Sequence, residues 1–261
     1  MNDSSKIIVN YYDNYNEDER ATMDKAHSVE FLTTKKYIEN NLKEGYRILE
    51  VGAGTGAYSI YYASKGYRVD AVELSKRNLE ILKSKITSDM NINAVQGNAL
   101  DLSMYQSDTF DMTLVLGPLY HLFTEEDKRK AIEEAIRVTK KDGYIYIAYI
   151  TSDAIFISYC LKKGHLLETD RLCIDNYKMK DNPEEVFSSF YIEEFNKLMS
   201  SYNVEHLSNV AAEGLSSILR EYVNELSEEE FKVWLDYHYK TCEREDLQGY
   251  SNHMLYIGKK R

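Results

Sequence analysis

The sequence predicts a doubly wound α/β domain with a mostly parallel sheet, interrupted by a helical insertion. Three observations predict it. Short apolar runs alternate with helix-patterned segments from Arg47 to Ile150, a glycine-dense turn (Gly52-Ala53-Gly54-Thr55-Gly56) follows the first run directly, and the alternation stops from Asp153 to about Ser201.

The elements follow in order. Val29, Phe31, Leu32, Ile38 and Leu42 recur at helical spacing from Asp24 to Asn41, and Gly45 breaks that helix. Arg47 to Val51 reads as a buried strand, Ala57 to Lys65 as a helix ended by Gly66, and Tyr67 to Glu73 as a second strand, completing a βαβ unit. Leu79, Leu82 and Ile86 mark the next helix stripe, Asn93 to Gln96 a third strand, and Thr113 to Leu116 a fourth. Thr124 with Glu125, Glu126 and Asp127 reads as a helix cap with an acidic first turn, and Ala131, Ala135 and Val138 continue that helix. A turn at Lys141-Asp142-Gly143 leads to a fifth strand, Tyr144 to Ile150. After the insertion, Tyr202 to Val210 returns as a strand, Leu215 to Arg244 supplies one or two helices, and Met254 to Ile257 is a last strand. The chain thus divides into an N-terminal helical cap (1–44), a core (45–152 plus 202–261) and a helical lid (153–201).

Composition narrows the function classes. With 43% hydrophobic residues the chain of 261 can bury a large core and is not disordered. Its three cysteines, Cys160, Cys173 and Cys242, form no disulfide framework and fit a reducing cytoplasm. Cys160, Cys173, His165 and Asp170 match no ligand spacing, so no metal site is expected. No apolar stretch is long enough to span a membrane. The net charge is −11, with 16 acidic against 8 basic residues in 181–261, which argues against nucleic acid and anionic membranes as partners.

The glycine turn carries the chemistry. Glycines between a strand and a helix let the backbone approach a ligand where the helix presents unpaired N–H groups. Glu73, at the end of the second strand, offers a carboxylate to both hydroxyls of a ribose. Gly52, Gly54 and Ala57 also satisfy the dinucleotide fingerprint G-x-G-x-x-G/A, so the turn by itself admits a nicotinamide-dependent oxidoreductase.

From Glu50 to Gly56 the stretch resembles the class I S-adenosylmethionine-dependent methyltransferases, whose signature is an acidic residue two places before G-x-G-x-G: Glu50, Gly52, Gly54 and Gly56. The resemblance covers roughly residues 45–150. Gly97-Asn98-Ala99 stands where the family has Gly-Asp-Ala, Phe110 to Leu116 resembles its fourth strand, and His253 to Ile257 its antiparallel last strand. It implies a Rossmann-like seven-stranded sheet, S-adenosylmethionine as cofactor, and a cofactor set of Glu50, Gly52, Ala53, Gly54, Thr55, Gly56, Glu73, Leu74, Asn98, Ala99, Leu116 and Gly117. Asparagine replaces the family's aspartate at Asn98, leaving its side-chain oxygen to accept from the adenine amine. Tyr11, Tyr15 and Arg20 join this set from the N-terminal segment, the tyrosines near the sulfonium and Arg20 near the methionine carboxylate, with His27 and Glu30 as further candidates.

After the fourth strand, Leu116-Gly117-Pro118-Leu119-Tyr120-His121 occupies the position where donor and acceptor meet in this fold. It lacks the Asp/Asn/Ser-Pro-Pro-aromatic motif that family members acting on amide or exocyclic amino nitrogens carry, which points away from DNA adenine and protein glutamine. His121 is the candidate proton carrier and Tyr120 a candidate for the acceptor pocket. The expectation is methyl transfer to a small-molecule acceptor by in-line displacement, against the oxidoreductase or a noncatalytic S-adenosylmethionine-binding protein. The acceptor atom and the oligomeric state are not legible.

Overall fold

The computed structural model describes residues 3–14, 18, 23–173, 175–180, 182 and 186–261. Two helices, α1 (Asp3–Asn14) and α2 (Lys25–Asn41), precede the alternating segment β1 (Arg47–Val51), α3 (Ala57–Ser64), β2 (Arg68–Glu73), α4 (Lys76–Ser84), β3 (Ile92–Gln96), β4 (Phe110–Val115), α5 (Glu125–Val138) and β5 (Thr139–Ile150). Then come α6 (Ser152–Ile155), α7 (Ile192–Met199), β6 (Val204–Ala211), α8 (Arg220–Glu225), α9 (Glu228–Thr241), α10 (Glu245–Gln248) and β7 (His253–Lys260). The strands form one seven-stranded sheet in the order β3-β2-β1-β4-β5-β7-β6, with β7 antiparallel to both neighbours and β1 to β5 parallel. The fold class predicted from sequence is therefore the observed one.

Local chemistry accounts for the helix starts. Asp24, Ser75, Thr124 and Ser227 each accept a backbone N–H from the first turn of the helix they precede, and at Ser227 the Glu230 carboxylate reciprocates as a capping box. β1 and β2 bury every residue beyond their first, as parallel strands covered on both faces do.

Two expectations need correction. β5 begins at Thr139, directly after α5, because the Thr139 hydroxyl lies 2.7 Å from that of Thr113 and donates to the Ala135 carbonyl at 2.6 Å, drawing the chain into register with Phe110. The expected turn at Lys141-Asp142-Gly143 survives as an irregularity inside the strand, with Asp142 at φ +61°. Among its described residues the insertion carries one full helix, α7. α6 runs on into a π-helical turn (Phe156–Leu161), and Thr169–Arg171 is a single 3₁₀ turn.

The insertion ends by docking on the sheet: Phe190 N–H donates to the Ile150 carbonyl at 2.9 Å, and Ser152 N–H to that of Phe190 at 3.0 Å. Just before it, Ser188 N–H donates to the Tyr120 carbonyl at 2.7 Å, pinning residues 186–190 over the turn that follows β4. Among the described residues, no helix is long and apolar enough to cross a membrane.

Candidate functional site

A crevice opens at the C-terminal edge of the sheet, where β1 and β4 part and the strand order reverses, the usual ligand position in such sheets. One wall is the glycine turn. Gly52 N–H and Ala53 N–H both donate to the Val72 carbonyl, at 2.8 and 3.1 Å. Gly52 has φ +74°, and a Cβ there would stand 2.7 Å from Pro118 Cδ, so only glycine lets the turn close against the loop after β4. Gly56, at φ +89°, is fixed from the other side, since a Cβ would meet Leu82 Cγ at 2.8 Å.

Glu73 stands across the floor of this turn. Its Oε2 accepts Gly54 N–H and its Oε1 accepts Ser75 N–H, both at 2.7 Å, which fixes the buried carboxylate in the lining of the crevice. Glu50 lies deeper. The Ser59 hydroxyl donates to its Oε2, and burial raises its carboxyl to about 8, against the lowering by that bond. Asn98 Oδ1 accepts Leu100 N–H at 3.0 Å, so an adenine amine would meet its second lone pair.

The far wall is the turn after β4. His121 Nδ1 lies 2.7 Å from the Val186 carbonyl, and Nε2 lies 2.7 Å from the Tyr12 hydroxyl. A carbonyl only accepts, so Nδ1 carries the proton and Nε2 receives the Tyr12 O–H. Tyr120 donates its hydroxyl to the Leu116 carbonyl at 3.0 Å, and Phe187 packs on the His121 ring with centroids 5.2 Å apart. α1 bridges the two walls: Tyr12 reaches His121, while Asp13 accepts from the Ser75 hydroxyl at 3.0 Å.

A second cavity lies beneath the insertion, lined by Tyr11, Ile155, Tyr159, Lys163, Met179 and Phe187 among others. Tyr12, Tyr120 and His253 border both cavities and form the partition between them. Beside this partition Glu30, Glu213 and His253 bring a carboxylate or imidazole atom each within 4.8 Å of one another. His253 Nδ1 lies 2.9 Å from Glu213 Oε2 and 3.3 Å from Asn252 Nδ2.

Of the residues expected from sequence, Glu50, Gly52, Ala53, Gly54, Thr55, Glu73, Leu74, Asn98, Ala99, Leu116, Gly117, Tyr120 and His121 line the first crevice. Gly56 does not, its role being the packing against Leu82. Tyr11 lines the second cavity instead. Tyr15 and Arg20 lie outside the described residues. Cys160, Cys173, His165 and Asp170 do not gather, and the three cysteines are free thiols. Sequence reasoning missed Tyr12, Ser75, Glu213 and His253. Tyr12 stood within the tyrosine run around Tyr11. Glu213 and His253, 40 residues apart, carry no local signal because the insertion of β7 between β5 and β6 is what joins them.

Residues 48–143 match the family model described as a methyltransferase domain. Among curated relatives, a putative methyltransferase YqeM of Bacillus subtilis is 29% identical over 110 residues, covering 42% of this chain and 44% of the relative. A glycine/sarcosine N-methyltransferase of Aphanothece halophytica is 30% identical over 134 residues, covering 51% and 49%. The chain spans about half the length of the curated relatives it matches. Among solved structures, a Thermotoga maritima S-adenosylmethionine-dependent methyltransferase, described as a possible histamine N-methyltransferase, aligns over 99% of this chain and 100% of its own with a TM-score of 0.57 at 18% identity. Phosphoethanolamine N-methyltransferase 1 of Haemonchus contortus aligns over 98% of this chain and 48% of its own, with a TM-score of 0.62 at 13% identity. At such identities the structural likeness is one of fold. The methyltransferase-domain match lies on the strands that build the crevice.

Proposed function

We propose that this protein transfers a methyl group from S-adenosylmethionine to a small-molecule acceptor. The observation that carries the reading is Glu73: a buried carboxylate at the end of β2, tied to the glycine turn through Gly54 N–H and directed into a crevice whose turn a side chain at position 52 would drive against Pro118. Glu73 would accept the ribose hydroxyls, Asn98 and Ala99 would receive the adenine, and Glu50 would order the glycine turn beside the methionine portion. Leu74, Leu116 and Gly117 complete the crevice. The bound cofactor supplies a methyl carbon already activated by a sulfonium.

What remains for the chain is alignment and exclusion of water. α1 does both by bonding to each wall, through Tyr12 to His121 and through Asp13 to Ser75. The cavity under residues 153–201 is the proposed acceptor pocket, and Tyr12, Tyr120 and His253 stand where the acceptor would meet the methyl group. His121 has both ring nitrogens engaged, so its reach toward an acceptor runs through the Tyr12 hydroxyl. The net charge of −11 favours a metabolite over nucleic acid, and three free thiols suit a reducing cytoplasm.

Calorimetry with S-adenosylhomocysteine tests the reading. Saturable binding at one site, with none for reduced nicotinamide dinucleotide, is the expected result, followed by transfer of labelled methyl to a metabolite mixture. Binding of the dinucleotide instead would return the glycine turn to the oxidoreductase reading; cofactor binding with no transfer to any acceptor would favour a noncatalytic binder.

A further inference from the structure

The two cavities carry charge of opposite sign. Asp18, Glu30, Glu50 and Glu73 line the cofactor crevice, and among the described residues no lysine or arginine does. Across the partition of Tyr12, Tyr120 and His253 the order reverses: Lys163 and Lys180 line the cavity under the insertion, and among the described residues no aspartate or glutamate does. In a chain of net charge −11 a cavity of this sign is a local exception, and such an exception is what an anionic ligand needs in order to enter.

Local structure brings the two lysines together. Ile155, Tyr159 and Lys163 follow at intervals of four residues along α6 and the π-helical turn that continues it, so they share the face that lines the cavity. Leu172 pairs antiparallel with Met179, and Lys180 N–H donates to the Arg171 carbonyl at 2.9 Å; this short ladder carries Met179 and Lys180 to the same cavity. Neighbouring lysines are engaged elsewhere, Lys162 with the Ile218 carbonyl and Lys178 with the Glu194 carboxylate. Lys180 Nζ donates to a neutral group, the Asp170 carbonyl, at 2.8 Å, which leaves two of its three N–H groups. Neither Lys163 nor Lys180 has a carboxylate partner among the described residues. Both are exposed, which puts them where the cavity meets solvent, while buried Tyr120 and Ile150 make its inner wall apolar. The cavity holds about 310 Å³, room for a metabolite.

We infer that the acceptor is an anion of metabolite size, with an apolar body against Tyr120 and Ile150 and a carboxylate or phosphate held by Lys163 and Lys180 at the solvent edge of the cavity. The inference rests on the methyl-transfer reading above and names the substrate class of that site. The carboxylates of the crevice suit the sulfonium and ammonium of the cofactor, and the lysines suit the acceptor, so each ligand is disfavoured in the cavity of the other.

Four probes with one aromatic ring and different head groups test it: benzoate, phenyl phosphate, benzyl alcohol and benzylamine. Titrated onto the full chain with S-adenosylhomocysteine bound, and followed by ligand-observed NMR, at least one anion should bind roughly tenfold more tightly than the alcohol and the amine. The tighter of the two anions identifies the head group as carboxylate or phosphate. Lys163→Gln and Lys180→Gln should each weaken that anion by about threefold or more, and together should abolish the preference, while benzyl alcohol and S-adenosylhomocysteine bind within about twofold of their wild-type affinities. Lys163→Glu combined with Lys180→Glu should turn the preference toward benzylamine. Binding of neither anion, an alcohol or amine that binds as tightly as the anions, or an anion affinity indifferent to both lysine substitutions overturns the inference while S-adenosylhomocysteine still binds. Failure of S-adenosylhomocysteine to bind the wild-type chain overturns the methyl-transfer reading itself, whatever the four probes do.

Discussion

The Tyr12 hydroxyl donates to His121 Nε2 across 109 residues of sequence, at 2.7 Å, and so ties the last turn of α1 to the loop after β4. With Asp13 holding Ser75 on the opposite wall, α1 lies as a strap across the crevice. Tyr12→Phe removes the hydroxyl and keeps the ring that packs edge-on to His121. It should cost about 1 kcal/mol, read as a several-fold faster dissociation of S-adenosylhomocysteine in stopped-flow experiments. His121→Ala should do the same and more, because the Val186 carbonyl loses its donor. The double variant should be clearly less than additive; additive effects would mean that the two residues act separately.

Glu73 is the strongest single test of the cofactor site. Glu73→Ala removes the carboxylate proposed to hold the ribose and also orphans the N–H groups of Gly54 and Ser75. Affinity for S-adenosylhomocysteine should fall by roughly 1–3 kcal/mol in calorimetry. Adenine alone, which has no ribose, should lose far less. Equal losses for both ligands would assign the effect to collapse of the glycine turn.

The parts of the site legible in sequence are those in which chemistry and chain order coincide. Glu50, Gly52 to Thr55 and Glu73 sit within one βαβ unit, so local spacing alone brings them to one crevice. His121 was legible for the same reason, following directly from β4. Its engagement was not, because Tyr12 and Val186 reach it through α1 and the insertion, whose positions depend on tertiary packing. The Glu213–His253 pair is the extreme case: neither residue has a neighbour in sequence that hints at the other, and only the antiparallel entry of β7 makes them partners. β5 shows the converse at the level of the fold. Lys141-Asp142-Gly143 reads as a turn by its chemistry, yet pairing of Thr139 with Phe110 extends the strand through it.

Glu50 gives the apo protein a distinctive pH dependence. Burial raises its carboxyl to about 8 from an ordinary 4.5. Between those values the native chain keeps a proton that the unfolded chain has released, so this group lowers stability as pH rises through the window. Glu50→Gln keeps an acceptor for the Ser59 hydroxyl and carries no charge. Its thermal midpoint should match the wild type near pH 5 and exceed it increasingly toward pH 8, by an amount of order a few kcal/mol in stability. A difference constant across pH would show that Glu50 ionises as an ordinary surface carboxylate does.

His238 acts in the opposite sense. It is buried on α9 with Nε2 3.0 Å from the Thr33 hydroxyl of α2, and burial lowers its imidazole to about 4 from 6.5. Above pH 6.5 both native and unfolded chains are neutral there, and the contribution to stability is complete. As pH falls from 6.5 toward 4 the unfolded chain takes up a proton that the native chain refuses, and stability is lost. The ring lies against Gly214, where an added Cβ would stand 3.0 Å from Nδ1, so its protonation acts directly behind the segment that carries Glu213. Acidification should therefore loosen the Glu213–His253 clamp before the sheet unfolds. Amide exchange at Glu213 and Gly214 should accelerate between pH 6.5 and 4, after correction for intrinsic rates, while that of β1 and β4 stays protected. In His238→Gln, which cannot take up the proton, the ratio of exchange between the two regions should become independent of pH across this window. A ratio that still changes would place the acid-sensitive group elsewhere.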